Sequence, residues 1–351
     1  MNLGIQYCDK LNMKETKEVG FLQFEILYEQ CMENDISEAI GVVLSANGIT
    51  EEQFLDAIKW VKNYHAKYLL IDTQNVLDDC KLRSIVETHA STIKGAGIHI
   101  YIENGYVCKD GKYFCCDFSE AKKLKEIAEE YNVITESDSF AIALNVGYAN
   151  LLGKNIRIMI EVLGEMLQLL HANDNDGKQN LHQMPYTFAE GRGTWPSTDW
   201  YRIIGRLIKS HFDGWIVFDV PGLIASTPDR LQKSMLRLLW SVGKAWFDEF
   251  TIEERLNQPE KQLILFGAGQ MAKNYLDAWG DAFPPAFLVD NSSKLWGKTR
   301  LEYEVKSPQS ILEIPEDKRN VWICNQYYDP IGEQLTKMGI SYQCYWDHYY
   351  L

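Results

Sequence analysis

The chain has 351 residues, 46% hydrophobic and 24% charged, enough for one large core or two smaller ones, and two are expected at this length. A formal net charge of −14 lacks the basic face that a phosphate backbone requires, so nucleic acid is excluded as the expected partner. Eight cysteines, none in a CxxC pair, read as scattered reduced thiols. No apolar run reaches the roughly 18 residues of a membrane span, and MNLGIQYCDK lacks a basic region followed by a long apolar one, so the expectation is a cytoplasmic chain with no membrane partner.

In chain order, apolar runs predict strands at 3–8, 21–28, 40–46, 68–73, 98–103, 140–147, 167–173 and 215–220. Most are continuous rather than alternating, as parallel strands covered on one side and filled on the other should be. Helical periodicity is clearest at 51–65, 77–93, 120–131, 156–166, 199–209 and 230–247. The connections 9–20 and 29–39 are too short for full helices. Ser119-Glu120 and Ser197-Thr198-Asp199 supply N-cap signals. The alternation predicts an α/β fold, a (β/α)8 barrel over residues 1–252. The polar stretch 253–262 then reads as a linker.

Residues 263–351 alternate strand and helix again and predict a small doubly wound, Rossmann-like domain. Gly267, Gly269 and Ala272 form a G-x-G-x-x-A turn between strand and helix, with Asp290 closing the next strand. Such glycines let a phosphate approach a helix N-terminus, and the acid can accept from ribose hydroxyls. These four residues are the candidate cofactor-binding set, for a nucleotide or nucleotide-sugar. At this size the module is one mononucleotide-binding half, which argues against NAD. Together with Val289, Asn291, Trp296 and Gly297, the turn resembles the small Rossmann-like modules of bacterial sugar-modifying and surface-polysaccharide enzymes.

In the barrel, polar groups sit where apolar runs end, the place at which a parallel barrel builds its active site. IYIENG supplies Glu103, ALNVGYANLLG supplies Asn145 and Tyr148, LQLLHANDNDG supplies His171 and Asp174, and GWIVFDV supplies Asp219. The loop HQMPYTFAEGRG adds His182, Glu190 and Arg192. Glu103 and Asp219, from different strands, are the pair nominated for removing and returning a proton beside a carbonyl. His65, His89, His99 and His211 are read as structural.

These segments resemble the xylose-isomerase-like sugar phosphate isomerase/epimerase TIM-barrel family over roughly residues 1 to 250, most specifically from residue 98 onward. The resemblance implies a metal-assisted isomerase or epimerase of carbohydrate metabolism acting on a small sugar. A divalent cation (Mn, Mg, Co or Zn) would lie among Glu103, Asn145, His171 and Asp219, with Tyr148, Asp174, His182 and Arg192 toward substrate. The chain departs from the family in having Asn145 for Asp, Tyr148 for His and Asp219 for Glu, and Ser45-Ala46-Asn47 where an early His-x-Pro is usual. A neutral amide brings only a carbonyl oxygen to a cation. The departures motivate a second reading, a non-catalytic sugar- or nucleotide-binding or regulatory protein with a degenerate barrel site. A third, a metal-dependent phosphodiester hydrolase, is opposed by the acidic charge and the lack of a multi-His ligand set. A homo-oligomer is compatible with the chain.

Overall fold

Parallel strands joined by helical crossovers bury both faces, and the apolar runs do this here. In the computed structural model, which describes residues 2–31, 39–188 and 198–345, the chain divides into two compact units, 1–246 and 247–351.

The first unit holds strands β1 Asn2–Gln6, β2 Phe24–Leu27, β3 Ala39–Ser45, β4 Tyr68–Asp72, β5 His99–Glu103, β6 Phe140–Asn145, β7 Leu167–Ala172 and β8 Trp215–Phe218. They form a closed barrel in sequence order, all neighbours parallel, with β1 closing on β8 from Asn2 opposite Trp215 to Ile5 opposite Phe218. This is the eight-stranded TIM-type barrel expected from the sequence. Alternate strand residues share a face, and one parity builds the interior: Tyr68 and Leu70, Tyr101, Ala141 and Ala143, Leu169, and Val217 form one buried cluster. Continued toward the strand ends, the same parity reaches Asp72, Glu103, Asn145, His171 with Asn173, and Asp219. The residues that could do chemistry are thus the top layer of the barrel filling.

The covering helices follow their apolar spacing. Helix Glu51–Asn63 buries Phe54, Ala57, Ile58 and Val61, and starts in a capping box between Thr50 and Gln53. Asp199 caps helix Trp200–Lys209 by accepting from the Arg202 N–H. Several boundaries differ from expectation. The connection 9–20 holds a seven-residue helix, Met13–Val19, capped by Asn12. The span 77–93 breaks into helices Cys80–Thr88 and Ala90–Ala96. The sixth strand stops at Asn145, because that side chain caps helix Val146–Leu151. A hairpin, Val107–Lys109 with Lys112–Phe114, adds a two-stranded sheet after β5.

The second unit carries a mixed six-stranded sheet of β9 Gln262–Phe266, β10 Phe287–Val289, β11 Thr299–Arg300, β12 Tyr303–Lys306, β13 Arg319–Ile323 and β14 Gln343–Cys344. Its order is β11-β12-β10-β9-β13-β14, and only the β11–β12 pair is antiparallel. Leu263 and Leu265 pack with Ala272 and Tyr275 of helix Gln270–Trp279. Ile264 and Phe266 pack with Ile331 and Leu335 of helix Tyr328–Lys337. Within the stretch 253–262 expected as a linker, helix Ile252–Leu256 runs to a buried Leu256. Among the described residues no helix is long and apolar enough to cross a membrane.

One close approach fixes the barrel interior. A Cβ on Gly41 would lie 2.1 Å from the Tyr68 ring, which is fully buried. Gly41→Ala is expected to destabilise the protein by about 1–3 kcal/mol, the usual cost of overpacking a filled core, read as a lower urea midpoint with unchanged slope.

Candidate active site at the barrel mouth

Inward parity at the strand ends brings together carboxylates from β2, β4 and β5, an amide from β6, an imidazole from β7 and the carboxylate just after β8. His171 lies at the centre, 2% exposed. Its Nε2 is 2.8 Å from Glu25 Oε2 and its Nδ1 is 2.6 Å from Glu103 Oε1. The Nδ1 contact is off the ideal hydrogen-bond direction and acts chiefly as an ion pair. Burial opposes a charge on His171, but Glu25 and Glu103 outweigh it and hold the imidazole well above its ordinary range. Burial pushes Glu103 up, and the His171 charge opposes that rise. The Tyr68 hydroxyl donates to Glu25 Oε1 at 2.9 Å, so the deepest carboxylate is fixed from the neighbouring interior layer.

Asn145 ties this group to β8. Its Nδ2 donates to Glu103 Oε1 and to Asp219 Oδ2, both at 3.1 Å. Its Oδ1 accepts from the Tyr148 backbone N–H at 3.2 Å and from Asn173 Nδ2 at 2.9 Å. Asn173 Nδ2 also donates to Asp219 Oδ2 at 3.1 Å, and His182 Nδ1 approaches the same oxygen at 3.0 Å. Burial alone would raise Asp219, but the adjacent His182 charge overrides it and holds the carboxyl at about 2. Asp219 in turn lifts His182 to about 9 against the effect of burial. Asp72 differs from these groups. It is partly exposed, its Oδ1 accepts from the Gln74 backbone N–H at 2.9 Å, and burial beside the Glu103 charge raises it to about 7.

The residues expected for the metal, Glu103, Asn145, His171 and Asp219, are brought together, but their donor set does not fit a divalent cation. Asn145 was expected to offer its carbonyl oxygen; that oxygen caps a helix, and the amide N–H groups face the carboxylates instead. Both His171 nitrogens face carboxylate oxygens, which leaves no lone pair aimed at a metal. Among the described residues no group of three or more His, Cys, Asp or Glu is arranged to hold a metal ion.

Two of the expected sugar contacts, Tyr148 and His182, lie at this mouth, their rings edge to face at 6.1 Å. His182 Nε2 faces the Asn180 side-chain amide at 2.8 Å. Asp174 is fully buried and holds its own loop, accepting from the Asn175 N–H at 3.0 Å and the Phe188 N–H at 3.1 Å. Arg192 and Glu190 lie outside the described residues.

In the second unit packing accounts for Gly267 of the glycine-rich turn, whereas a Cβ on Gly269 would meet nothing within 4 Å. Gly267 has φ +135° and a Cβ there would lie 2.2 Å from the Cys324 carbonyl oxygen. Gly269 precedes helix Gln270–Trp279 without a side-chain cap, and Ala272 is fully buried. Asp290 accepts from the Ala268 N–H at 3.3 Å and the Ser292 N–H at 2.8 Å, so its oxygens serve this turn and the next.

Sequence reasoning missed Glu25, Asp72 and Asn173. Asp72 carries the signal that found Asp219, an apolar strand ending in an acid, and Asn173 follows from His171 by parity. Glu25 stands between Phe24 and Ile26, a charge inside an apolar run.

No protein-family model matches the chain, and no curated protein matches its sequence. Among solved structures it is similar to a 3-keto-D-glucoside 4-epimerase from E. coli, at 14% identity over 69% of this chain and 99% of that one, with a TM-score of 0.48. A D-psicose 3-epimerase from Clostridium cellulolyticum H10 aligns at 13% identity over 70% and 99%, with a TM-score of 0.49. An L-ribulose 3-epimerase aligns at 11% identity over 73% and 98%, also with a TM-score of 0.49. The barrel assignment rests on the strand pairing of this chain itself.

Because Asp72 moves from 3.8 to about 7 on folding, the folded state holds its proton more tightly than the unfolded chain. Stability from this group is therefore present at low pH and lost as pH rises through about 7. Asp72→Asn, which keeps the oxygen facing Gln74, is expected to be near neutral at pH 4. At pH 8 it should stabilise by on the order of 2 kcal/mol, since partial exposure weakens the effect. Urea melts at the two pH values check this.

Proposed function

We propose that the barrel mouth binds a small sugar and moves a proton beside its carbonyl group, an isomerase or epimerase reaction. The observation that carries the reading is the contrast between Asp72 and its neighbours. Glu103, Asn145, His171 and Asp219 are at most 3% exposed and hydrogen-bonded or ion-paired to one another. Asp72, held up to about 7, lies beside them at the partly open edge. A carboxyl near neutrality exists in both forms and can take a proton and return it on the same face, which is what isomerisation requires; epimerisation would need a second acid on the opposite face.

Asp219, expected from sequence as half of the proton-transfer pair, is too weak a base for that step at about 2. Its role in this reading is to keep His182 protonated. His182, raised to about 9, then supplies positive charge near the oxygen on which negative charge develops. Glu103 and His171 set the field around Asp72. The mixture of carboxylate, amide, imidazole and phenol suits a polyhydroxylated ligand, which needs donors and acceptors in equal measure.

One feature favours the second reading, a sugar-binding protein without turnover. The Asn145 and Asn173 amides already donate to the Glu103 and Asp219 carboxylates, leaving those groups tied to the protein. The two readings separate in heavy water. With aldoses, ketoses and keto-sugars as probes, the proton-transfer reading expects deuterium to enter the carbon beside the carbonyl. Asp72→Asn should slow that exchange by about 100-fold or more. Sugar binding without exchange in the wild type would establish the binding reading, and full exchange in Asp72→Asn would remove Asp72 from the mechanism.

A further inference from the structure

We infer that the barrel mouth supplies its own cation: the His171 imidazolium and the Asn145 amide fill the space among Glu25, Glu103 and Asp219 that a divalent ion would need, and Asn145 is the residue that keeps such an ion out. The inference holds whether the site turns over a sugar or only binds one.

Buried carboxylates require positive charge or hydrogen-bond donors close by. Here both come from side chains. Glu25 receives Tyr68 at 2.9 Å, Gln6 at 3.4 Å and His171 at 2.8 Å. Glu103 Oε1 faces His171 at 2.6 Å and Asn145 at 3.1 Å. Asp219 Oδ2 alone meets three donors, from Asn145, Asn173 and His182, at 3.1, 3.1 and 3.0 Å. A cation entering between Glu103 and Asp219 would meet the Asn145 N–H groups, whose hydrogens carry partial positive charge.

Rotation of the amide cannot relieve this conflict. A backbone N–H is always a donor, so the Tyr148 N–H at 3.2 Å requires oxygen on its side of Asn145. Turning the amide would set that N–H and Asn173 Nδ2, at 2.9 Å, against a second donor. The helix Val146–Leu151 therefore fixes which face of Asn145 the carboxylates see. An aspartate would cap the same helix equally well while presenting an oxygen to Glu103 and Asp219. Three carboxylates would then converge, the donor type that hard divalent cations favour.

The test is calorimetric titration of metal-stripped full-length protein with Mn²⁺, Co²⁺, Zn²⁺ and Mg²⁺, beside Asn145→Asp checked for folding by circular dichroism. The wild type is expected to take up no ion at this site, and Asn145→Asp to bind one equivalent at least 100-fold more tightly. One equivalent bound by the wild type and released when Glu103 is changed to Gln would overturn the inference. A folded Asn145→Asp that binds no better than wild type would overturn the role given to Asn145. Should that variant not fold, the wild-type titration decides.

Discussion

The ion pair that runs from Glu25 through His171 to Glu103 governs how the mouth of this barrel is built. It joins β2 to β7 across the interior, 146 residues apart in sequence, and β7 to β5. Burying any one of these charges alone would cost several kcal/mol, and removing one partner of such a group typically costs about 3–5 kcal/mol. The neighbours are arranged accordingly. Tyr68 donates to Glu25, and Gly41 leaves the space in which the Tyr68 ring lies. Small residues Ala141 and Ala143 stand beneath Asn145 on the same face of β6. The site is therefore continuous with the core, and its geometry is set by packing as much as by polar contacts.

Above that pair the site divides by how tightly each group is held. Asn145 and Asn173 lock Asp219 and Glu103 into a fixed array, while Asp72 and His182 sit toward the outside, both raised above their ordinary titration ranges. A carboxyl raised toward neutrality and an imidazole raised above it give one group that exchanges its proton and one that keeps it. Neighbouring titratable groups held in different protonation states near neutral pH are what acid–base sites require. That the array is assembled by protein donors, rather than around an ion, makes Asn145 the most informative position in the barrel.

Much of the fold is legible in the sequence. The barrel strands are continuous apolar runs, and such runs have few alternatives once helical spacing recurs between them. What was missed has local causes. The hairpin at 107–114 carries a clear Asp110-Gly111 turn, with φ of 52° and 72°, but its strands are three residues long and too polar for an apolar-run reading. The end of β6 was placed too late because VGYANL is apolar enough to continue a strand; the capping side chain before it was the signal to stop.

The site was legible in part. Glu103, Asn145, His171 and Asp219 converge as strand-end spacing implies, because period-two geometry leaves no other place for them. Orientation was not legible. Which face of Asn145 meets the carboxylates depends on the helix it caps, and whether His171 has a lone pair to offer depends on Glu25, from a strand too distant in sequence to be linked by any motif. Asp174, a polar residue in a Gly/Asn/Asp loop expected to face a sugar, has a carboxylate that holds that loop's backbone.

The central claim is that His171 is a permanent cation held between two carboxylates. Nitrogen-15 NMR of histidine-labelled protein at pH 8, with the His171 signals assigned by their loss in His171→Gln, tests it most directly. The account expects both ring nitrogens protonated, with imidazolium shifts that chelators leave unchanged. A neutral ring with one unprotonated nitrogen would contradict it.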